Sequence, residues 1–372
     1  RIRRAEIARQ RTQIFKPAMD NRFDPHRIVS RDNREIDAIV VRGSAELRSK
    51  IVIGVKVVGI DEVQFFDETI VDVCMELAGA YAALGRFRRA LTTYEEALKS
   101  FEELADRTSR VTCLKAMAGL CYREGAWNRA LDLYHQALHL LRDPDERPEV
   151  TQTHSQIGSV YQGQGNWEKA LESYRASLAV RETLGDARGI ALLFNNLGAV
   201  YARQERWEDA RQAWERCLAL HAETGDVSGQ AITLGNLGSL AQRQDHWAEA
   251  LAWFEKSLRF YRESGDSLGE ATIQNNVGFV QKHLGDLGKA LAAYQEALRL
   301  LHQLEDPLRA TVALYNMAMI HEDQGNYREA LRLLEQVIEL DRRIGHPDLR
   351  RDMESFRRIR QKLDAGRDAK HM

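Results

Sequence analysis

"NNLGAVYARQERWEDARQAWERCLAL", residues 195–220, reads as two helices with a bend between them. Leu197 and Tyr201 stand four residues apart, which puts them on one face of the first helix. The pattern breaks near Glu205 and Arg206, and Trp207, Ala210 and Trp214 open a second helix. Gly198 and Ala210 leave little side chain between the two, so their backbones can approach closely, with Trp207 and Trp214 filling the space above and below. One such pair cannot hide all of its apolar surface. It needs a neighbour.

The neighbours are in the sequence. Ala90, Ala130, Ala170, Ala210, Ala250, Ala290 and Ala330 recur every 40 residues without an insertion. Three residues before each stands a large side chain: Phe87, Trp127, Trp167, Trp207, Trp247, Leu287 and Tyr327. Four residues after stands another: Tyr94, Tyr134, Tyr174, Trp214, Phe254, Tyr294 and Leu334. Ala78, Ala118, Gly158, Gly198, Gly238, Gly278 and Ala318 precede the alanines by twelve. Gly85, Gly125, Gly165, Gly285 and Gly325 suit the C-terminus of each first helix. Asn166, Asp286 and Asn326 are then expected to cap the second helices. Pairs that each leave an apolar face uncovered stack into a solenoid.

The pattern resembles the tetratricopeptide repeat family over residues 71–350, through Leu197-Gly198, Tyr201, Ala210, Trp214 and Cys217-Leu218. The family repeat is about 34 residues. Here the extra length falls in the second helix and its exit loop, which carries Gly225-Asp226, Gly265-Asp266 or Glu305-Asp306-Pro307. The resemblance implies a mainly α fold, a right-handed superhelical solenoid of about seven helix pairs. Met353, Phe356, Ile359 and Leu363 have helical spacing, so residues 351–372 read as a capping helix and tail. The resemblance also implies a peptide or partner helix bound in a concave groove lined by the first helices. Asn196, Asn236, Asn276 and Asn316 form a polar ladder there, with Asn195 and Asn275 beside two of them. An amide both donates and accepts, so such a row either clamps a peptide backbone or ties neighbouring repeats together. Arg203, Arg243 and His283, with Lys282 adjacent, end the same helices. Facing the groove they favour an acidic partner; otherwise they are solvated helix ends suited to the dipole.

Composition narrows the function. Lys plus Arg is 53 and Asp plus Glu 55 in 372 residues, a formal charge of −2. That balance argues against nucleic-acid or membrane-surface binding driven by net charge. No apolar run approaches the roughly 18 residues of a bilayer span. There is no signal-peptide apolar region, and the first residue is Arg1, so a piece of a longer reading frame or a processed product is expected. Cys74, Cys113, Cys121 and Cys217 form no C-x-x-C pair and fall on apolar helical stretches, which points to reduced core thiols, a cytoplasmic location and no metal site. His135 and His139, four apart, read as a surface pair.

The first seventy residues differ in kind. "RIRRAEIARQ" (1–10) reads as a basic helix, "TQIFKP" (12–17) as a strand stopped by Pro17, and "IDAIVV" (36–41) as another. "VKVVGIDEVQFF" (55–66) is a β-rich run that breaks at Asp61. Alternating strands and helices suggest a small, incomplete α/β layer. "RIRRAEIARQRTQIFKPAMDNRF" and "VVGIDEVQFFDETIVDV" resemble cellular-type thymidine kinase, a P-loop kinase fold, over residues 1–78. The resemblance implies that Asp61 helps to hold Mg-ATP, that Glu62 is the general base toward the thymidine 5′-hydroxyl, and that Gln64 belongs to the same ATP-side motif. Asp20 and Arg22 match a stretch near the phosphates, while Ser30-Arg31-Asp32 departs from the family pattern. A phosphate-binding glycine loop is expected upstream of Arg1, and the sequence after the motif is already repeat. Two readings follow. One is a non-enzymatic protein–protein interaction scaffold that needs no cofactor. The other is a thymidine kinase using Mg-ATP, inactive as given.

Overall fold

A computed structural model of the chain describes the backbone of five short strands between residues 12 and 60, positions 76, 78, 79, 82 and 85, and residues 87–368 apart from 104, 142, 144 and 145. The chain divides into two compact units, Arg1–Ser173 and Tyr174–Met372.

The first unit opens with β1 (Thr12–Pro17), β2 (Arg27–Val29), β3 (Glu35–Asp37), β4 (Ile39–Val41) and β5 (Val57–Ile60). β1 lies between β4 and β5 and runs parallel to both, with Phe15 opposite Ile39 on one side and Ile60 on the other. β2 and β3 pair antiparallel, Ile28 opposite Ile36. β1 and β5 fall where the sequence places them, β5 stopping at Ile60, one residue before Asp61, whereas the single strand expected at 36–41 is two, β3 and β4, in different sheets, and β2 was not expected. A parallel trio needs crossover connections, which an α/β layer supplies. The expected basic helix at 1–10, and Cys74, lie outside the described residues.

Helices follow: α1 (Phe87–Glu103), α2 (Arg107–Arg123), α3 (Trp127–Leu140), α4 (Arg147–Gly163) and α5 (Trp167–Leu184). The second unit contains the end of α5, then α6 (Ala187–Arg203), α7 (Trp207–Glu223), α8 (Val227–Arg243), α9 (Trp247–Ser264) and α10 (Ser267–His283). It continues with α11 (Leu287–Gln303), α12 (Pro307–Asp323), α13 (Tyr327–Ile344) and α14 (Leu349–Asp368). Among the described residues no helix is long and apolar enough to cross a membrane.

Each helix pair forms for local reasons. Gly125, Gly165, Gly285 and Gly325 take the left-handed conformation that ends the first helix. Where the sequence has no glycine, Glu205 and Asp245 adopt it instead, at φ 60° and 59°. The small-residue crossing is closer than expected: Trp214 lies directly over Gly198, so that an added Cβ would stand 2.7 Å from the indole. Gly238 meets Phe254 and Gly278 meets Tyr294 in the same way. Ala210, Ala250, Ala290 and Ala330 are completely buried, as are Phe254 and Leu334. Burial of one such large side chain contributes about 1.5–3 kcal/mol.

Capping differs from the expectation. Asn166 and Asp286 do cap second helices, accepting the backbone N–H of Lys169 and Lys289. Asn326 makes no cap bond and donates instead to Gln324. The repeated caps sit on the first helices. Asp106, Asp186, Asp226, Asp266 and Asp306 each accept the N–H three residues on, at 2.9–3.1 Å. α14 packs onto the end of the second unit: Ile359 is fully buried, and Phe356 and Leu363 pack against the core that contains Leu333 and Val337. Arg358 and Lys362 both reach Glu322 at 2.8 Å, tying its polar side to α12. Cys113, Cys121 and Cys217 are free, buried thiols, while His135 and His139 are exposed.

Candidate functional site

The first helix of each pair in the second unit leaves one face open. On α6 that face carries Leu192, Asn196, Ala199 and Arg203, spaced four, three and four residues apart. Its counterparts are Ile232, Asn236, Ser239 and Arg243 on α8, and Thr272, Asn276, Phe279 and His283 on α10. α12 supplies Val312, Asn316, Met319 and Asp323. Leu192 is 61% exposed, Val312 50% and Ile232 47%, so a stripe of apolar side chains lies open one turn before the asparagines. An isolated exposed leucine means little, but three in a 40-residue register form a surface.

The asparagine ladder divides into two kinds. Asn236 donates from Nδ2 to Asn195 Oδ1 at 2.8 Å, bridging α8 to α6. Asn195 also gives its carbonyl to Trp214 Nε1 at 3.2 Å. Asn196, Asn276 and Asn316 are half-buried, and among the described residues their amides form no hydrogen bond. Asn275 Oδ1 is buried with no partner. Asn276 lacks the bridge because Gly235 stands where Asn195 would be.

The cations at the helix ends divide likewise. Arg243 donates to the Ala202 carbonyl at 2.8 Å, and its guanidinium lies 4.8 Å above the Trp207 ring. His283 stacks on Trp247 with centroids 4.1 Å apart and planes 12° from parallel. Lys282 pairs with Asp323 at 2.8 Å. In the first unit Arg123 lies 5.0 Å over Phe87 by the same offset of 36 residues. Arg123, Arg243 and His283 brace their helices against the preceding repeat, and Lys282 ties its helix to the following one. Arg203 and Arg188, both on α6, are exposed, and among the described residues neither has an ion pair.

The first unit has its own groove, an open volume of about 710 Å³ lined by Gly79, Gly119, Tyr94, Tyr134, Arg123 and Gln156 among others. Gly79 and Gly119 sit where later repeats carry Ala199, Ser239 and Phe279, so the floor is exposed down to the tyrosines. A Cβ on Gly79 would stand 3.9 Å from the Tyr94 hydroxyl, and one on Gly119 3.8 Å from that of Tyr134. Burial pushes the Tyr134 phenol up to about 12, and burial followed by the Cys113 thiol also raises Tyr94. Both therefore remain hydrogen-bond donors at neutral pH. Gln156 Oε1 is buried without a partner in the same groove. Two phenol donors and an unpartnered acceptor at one floor match what a peptide backbone or a carboxamide offers. Sequence reading missed this groove, although its signal, Gly79, Ala116 and Gly119 in place of larger residues, was there.

Asp20, Arg22, Asp61, Glu62 and Gln64 lie outside the described residues.

Comparison with known proteins separates the two halves. A family model described as thymidine kinase matches residues 1–143, a range that runs past the strands and through α1–α3. A thymidine kinase from Rhodothermus sp. (strain ITI 518) is 50% identical over 78 residues, 21% of this chain and 36% of that protein. The chain thus spans little more than a third of that relative. Among solved structures, BtubC (BKLC) from P. vanneervenii aligns at TM-score 0.53 and 23% identity, over 59% of this chain and 92% of that one. Aspartyl phosphate phosphatase F from Bacillus subtilis aligns at 0.57 and 14% identity, over 73% of this chain and 70% of that one. At such identities the likeness is one of fold. A family model described as tetratricopeptide repeat matches residues 149–223, 189–263 and 269–343, together half of the chain. With a 40-residue register, small-residue crossings and stacked helix pairs, the chain belongs to the tetratricopeptide repeat family.

Proposed function

We propose that this protein is an interaction scaffold that holds an extended peptide, or a partner helix, along the open face of its first helices. One observation carries the reading: unpaired amides and exposed apolar side chains alternate on a single face at the repeat period. Asn196, Asn276 and Asn316 have amides available for a peptide backbone, and Leu192, Ile232 and Val312 offer apolar contacts beside them. Asn236 and Arg243 line the same face while also tying repeats together. Arg188 and Arg203, unpaired on α6, favour a partner with acidic residues at that end. The reading needs no cofactor, nucleic acid or membrane, and buried reduced thiols suit a cytoplasmic setting.

The test begins with peptides selected from a random displayed library against the full chain, their binding then measured by fluorescence anisotropy. Changing Asn196, Asn276 and Asn316 together to Ala should weaken binding at least tenfold, since each hydrogen bond contributes about 0.5–1.5 kcal/mol. Changing Arg188 and Arg203 to Ala should remove the salt dependence of acidic peptides. Unaltered affinity in the triple variant would refute the clamp.

A second reading rests on the 50% identity to a thymidine kinase over 78 residues. By that resemblance Asp61, Gln64, Asp20 and Arg22 would hold Mg-ATP and Glu62 would take the proton from the thymidine 5′-hydroxyl. Transfer of labelled phosphate from ATP to thymidine, lost in Glu62→Gln, would establish it; no transfer would end it for this chain.

A further inference from the structure

Where α13 meets α14, two acids are buried together. Asp341 is fully buried and Asp352 is 2% exposed. Their carboxyls, one on each helix, lie within hydrogen-bonding reach of each other. Taken as a carboxylate, Asp341 has no partner for either of its oxygens. His346 Nδ1 is 3.8 Å from Asp341 Oδ1, but it accepts the Asp348 N–H at 3.1 Å and so has no proton to offer there. Arg351 Nε donates to Asp352 Oδ1 at 3.1 Å, its other end pairs with Asp348, and its guanidinium lies over Tyr315 of α12. No cation therefore donates a hydrogen bond to Asp341, and the nearby His346 ring lowers its carboxyl less than burial and Asp352 raise it.

Earlier repeats handle this corner differently. At the positions equivalent to Asp341 and His346, two earlier repeats carry Arg181 with Asp186 and His221 with Asp226, each pair in contact, and the two repeats between carry Tyr261 with Asp266 and Leu301 with Asp306. In the first two a basic group ends the second helix and an acid caps the next. At the last corner the order is reversed, and a further acid, Asp352, is packed in. Two ionised carboxyls side by side in the core would repel and leave lone pairs unpaired. One proton removes both penalties, with protonated Asp341 donating to Asp352, whose other neighbour is already Arg351.

We propose that Asp341 and Asp352 share a single proton and that this proton latches α14 onto α13, making the closing helix of the second unit a pH-sensitive cap. Burial, and then the adjacent Asp352, push the Asp341 carboxyl up to about 6. Undocked, Asp341 is an ordinary carboxyl that ionises more readily. Docking is therefore tightest in acid, weakens as pH rises from the ordinary carboxylate range to about 6, and levels off above that. A shift from 3.8 to about 6 weakens docking roughly a hundredfold across that window, and about a tenfold part of this falls between pH 5 and pH 7.5. When α14 leaves, the apolar surface around Leu333 and Val337 opens.

The experiment is amide hydrogen exchange on the full chain at pH 5.0 and 7.5, corrected for intrinsic rates. Protection across 349–364 should fall about tenfold at the higher pH while α6 to α9 hold steady. In Asp341→Asn the new amide donates to Asp352 without titrating, so α14 should stay protected at both pH values. Asp352→Asn removes the neighbouring charge and leaves only burial acting on Asp341, so there the pH response should shrink, and it decides the matter where Asp341→Asn folds poorly. A native α14 whose protection ignores pH overturns the proposal. So does a pH response that survives undiminished in both Asn variants, which would assign it to His346.

Discussion

Substituting one glycine tests how these helix pairs are held. In Gly238→Ala the new methyl would lie 2.6 Å from Cδ1 and Cε1 of Phe254 and 3.1 Å from Cγ. Carbon atoms sit comfortably at about 3.5–4.0 Å, so α8 and the ring must part by about an ångström. Phe254 has nowhere to go, because it is completely buried. Overpacking of this kind costs about 1–3 kcal/mol, and the better helix propensity of alanine returns about 1 kcal/mol. The expected net loss is up to about 2 kcal/mol, as much as a roughly thirtyfold rise in opening. Gly288→Ala is the control, since its nearest neighbour is an Asp286 oxygen at an ordinary 3.7 Å. It should stabilise α11 by about 0.5–1 kcal/mol. Urea unfolding followed by circular dichroism gives the comparison. Hydrogen exchange across α8 and α9 shows whether the loss is local, because stacked repeats can open piecewise. Should Gly238→Ala match or exceed the native chain while Gly288→Ala gains as expected, close approach at the crossing is not what fixes the pair.

Other outcomes follow from the same structure. Glu205→Gly should raise stability by up to about 1 kcal/mol in urea melts, because Glu205 holds a left-handed φ of 60° that costs a side chain roughly 1–2 kcal/mol; a loss would point to a contact of the glutamate instead. Cys113, Cys121 and Cys217 should react with Ellman's reagent only as the protein unfolds, since all three are buried and burial pushes the Cys113 thiol up to about 12. Rapid labelling of any of them in the native chain would contradict the packing. The Arg211 guanidinium, which bonds Glu249 across neighbouring repeats, holds that carboxyl below its ordinary range, so the pair stabilises above that range and is lost as pH falls through it. Arg211→Met should flatten part of the acid limb of a urea-midpoint profile between pH 7 and pH 3; an unchanged profile would mean that the pair contributes nothing.

Much of the fold was legible because its rules are local and repeated. Ala210 and its equivalents announce a tight crossing, and Gly125 or Gly325 announces a helix end, whatever surrounds them. The strands ending at Pro17 and Ile60 were visible for the same reason. The first-helix caps were overlooked, although Gly225-Asp226 and Gly265-Asp266 spell a helix stop followed at once by a start. The ladder could not be resolved from spacing. Asn236 finds Asn195 41 positions earlier and bridges to it, Asn276 finds Gly235 and cannot, and Asn316 finds Asn275 and still makes no bridge, so the residue type at that offset does not decide it. The hydroxyls of Tyr94 and Tyr134 lie beneath Gly79 and Gly119 through packing between helices, which spacing along the chain does not encode. Asp341 was invisible as a site because its partner lies on another helix.

The ring-and-cation braces also bear on how such a chain can grow. Arg243 rests on Trp207 and His283 on Trp247, so every brace has one half in each of two successive modules. Excising one whole period, such as 227–266, would bring His283 to Trp207 and leave a serviceable stack. Duplication of a period would likewise create a new partner for each orphaned half. A gene built this way tolerates slippage in steps of one module and resists any other length, so its size is free to drift while its phase is not.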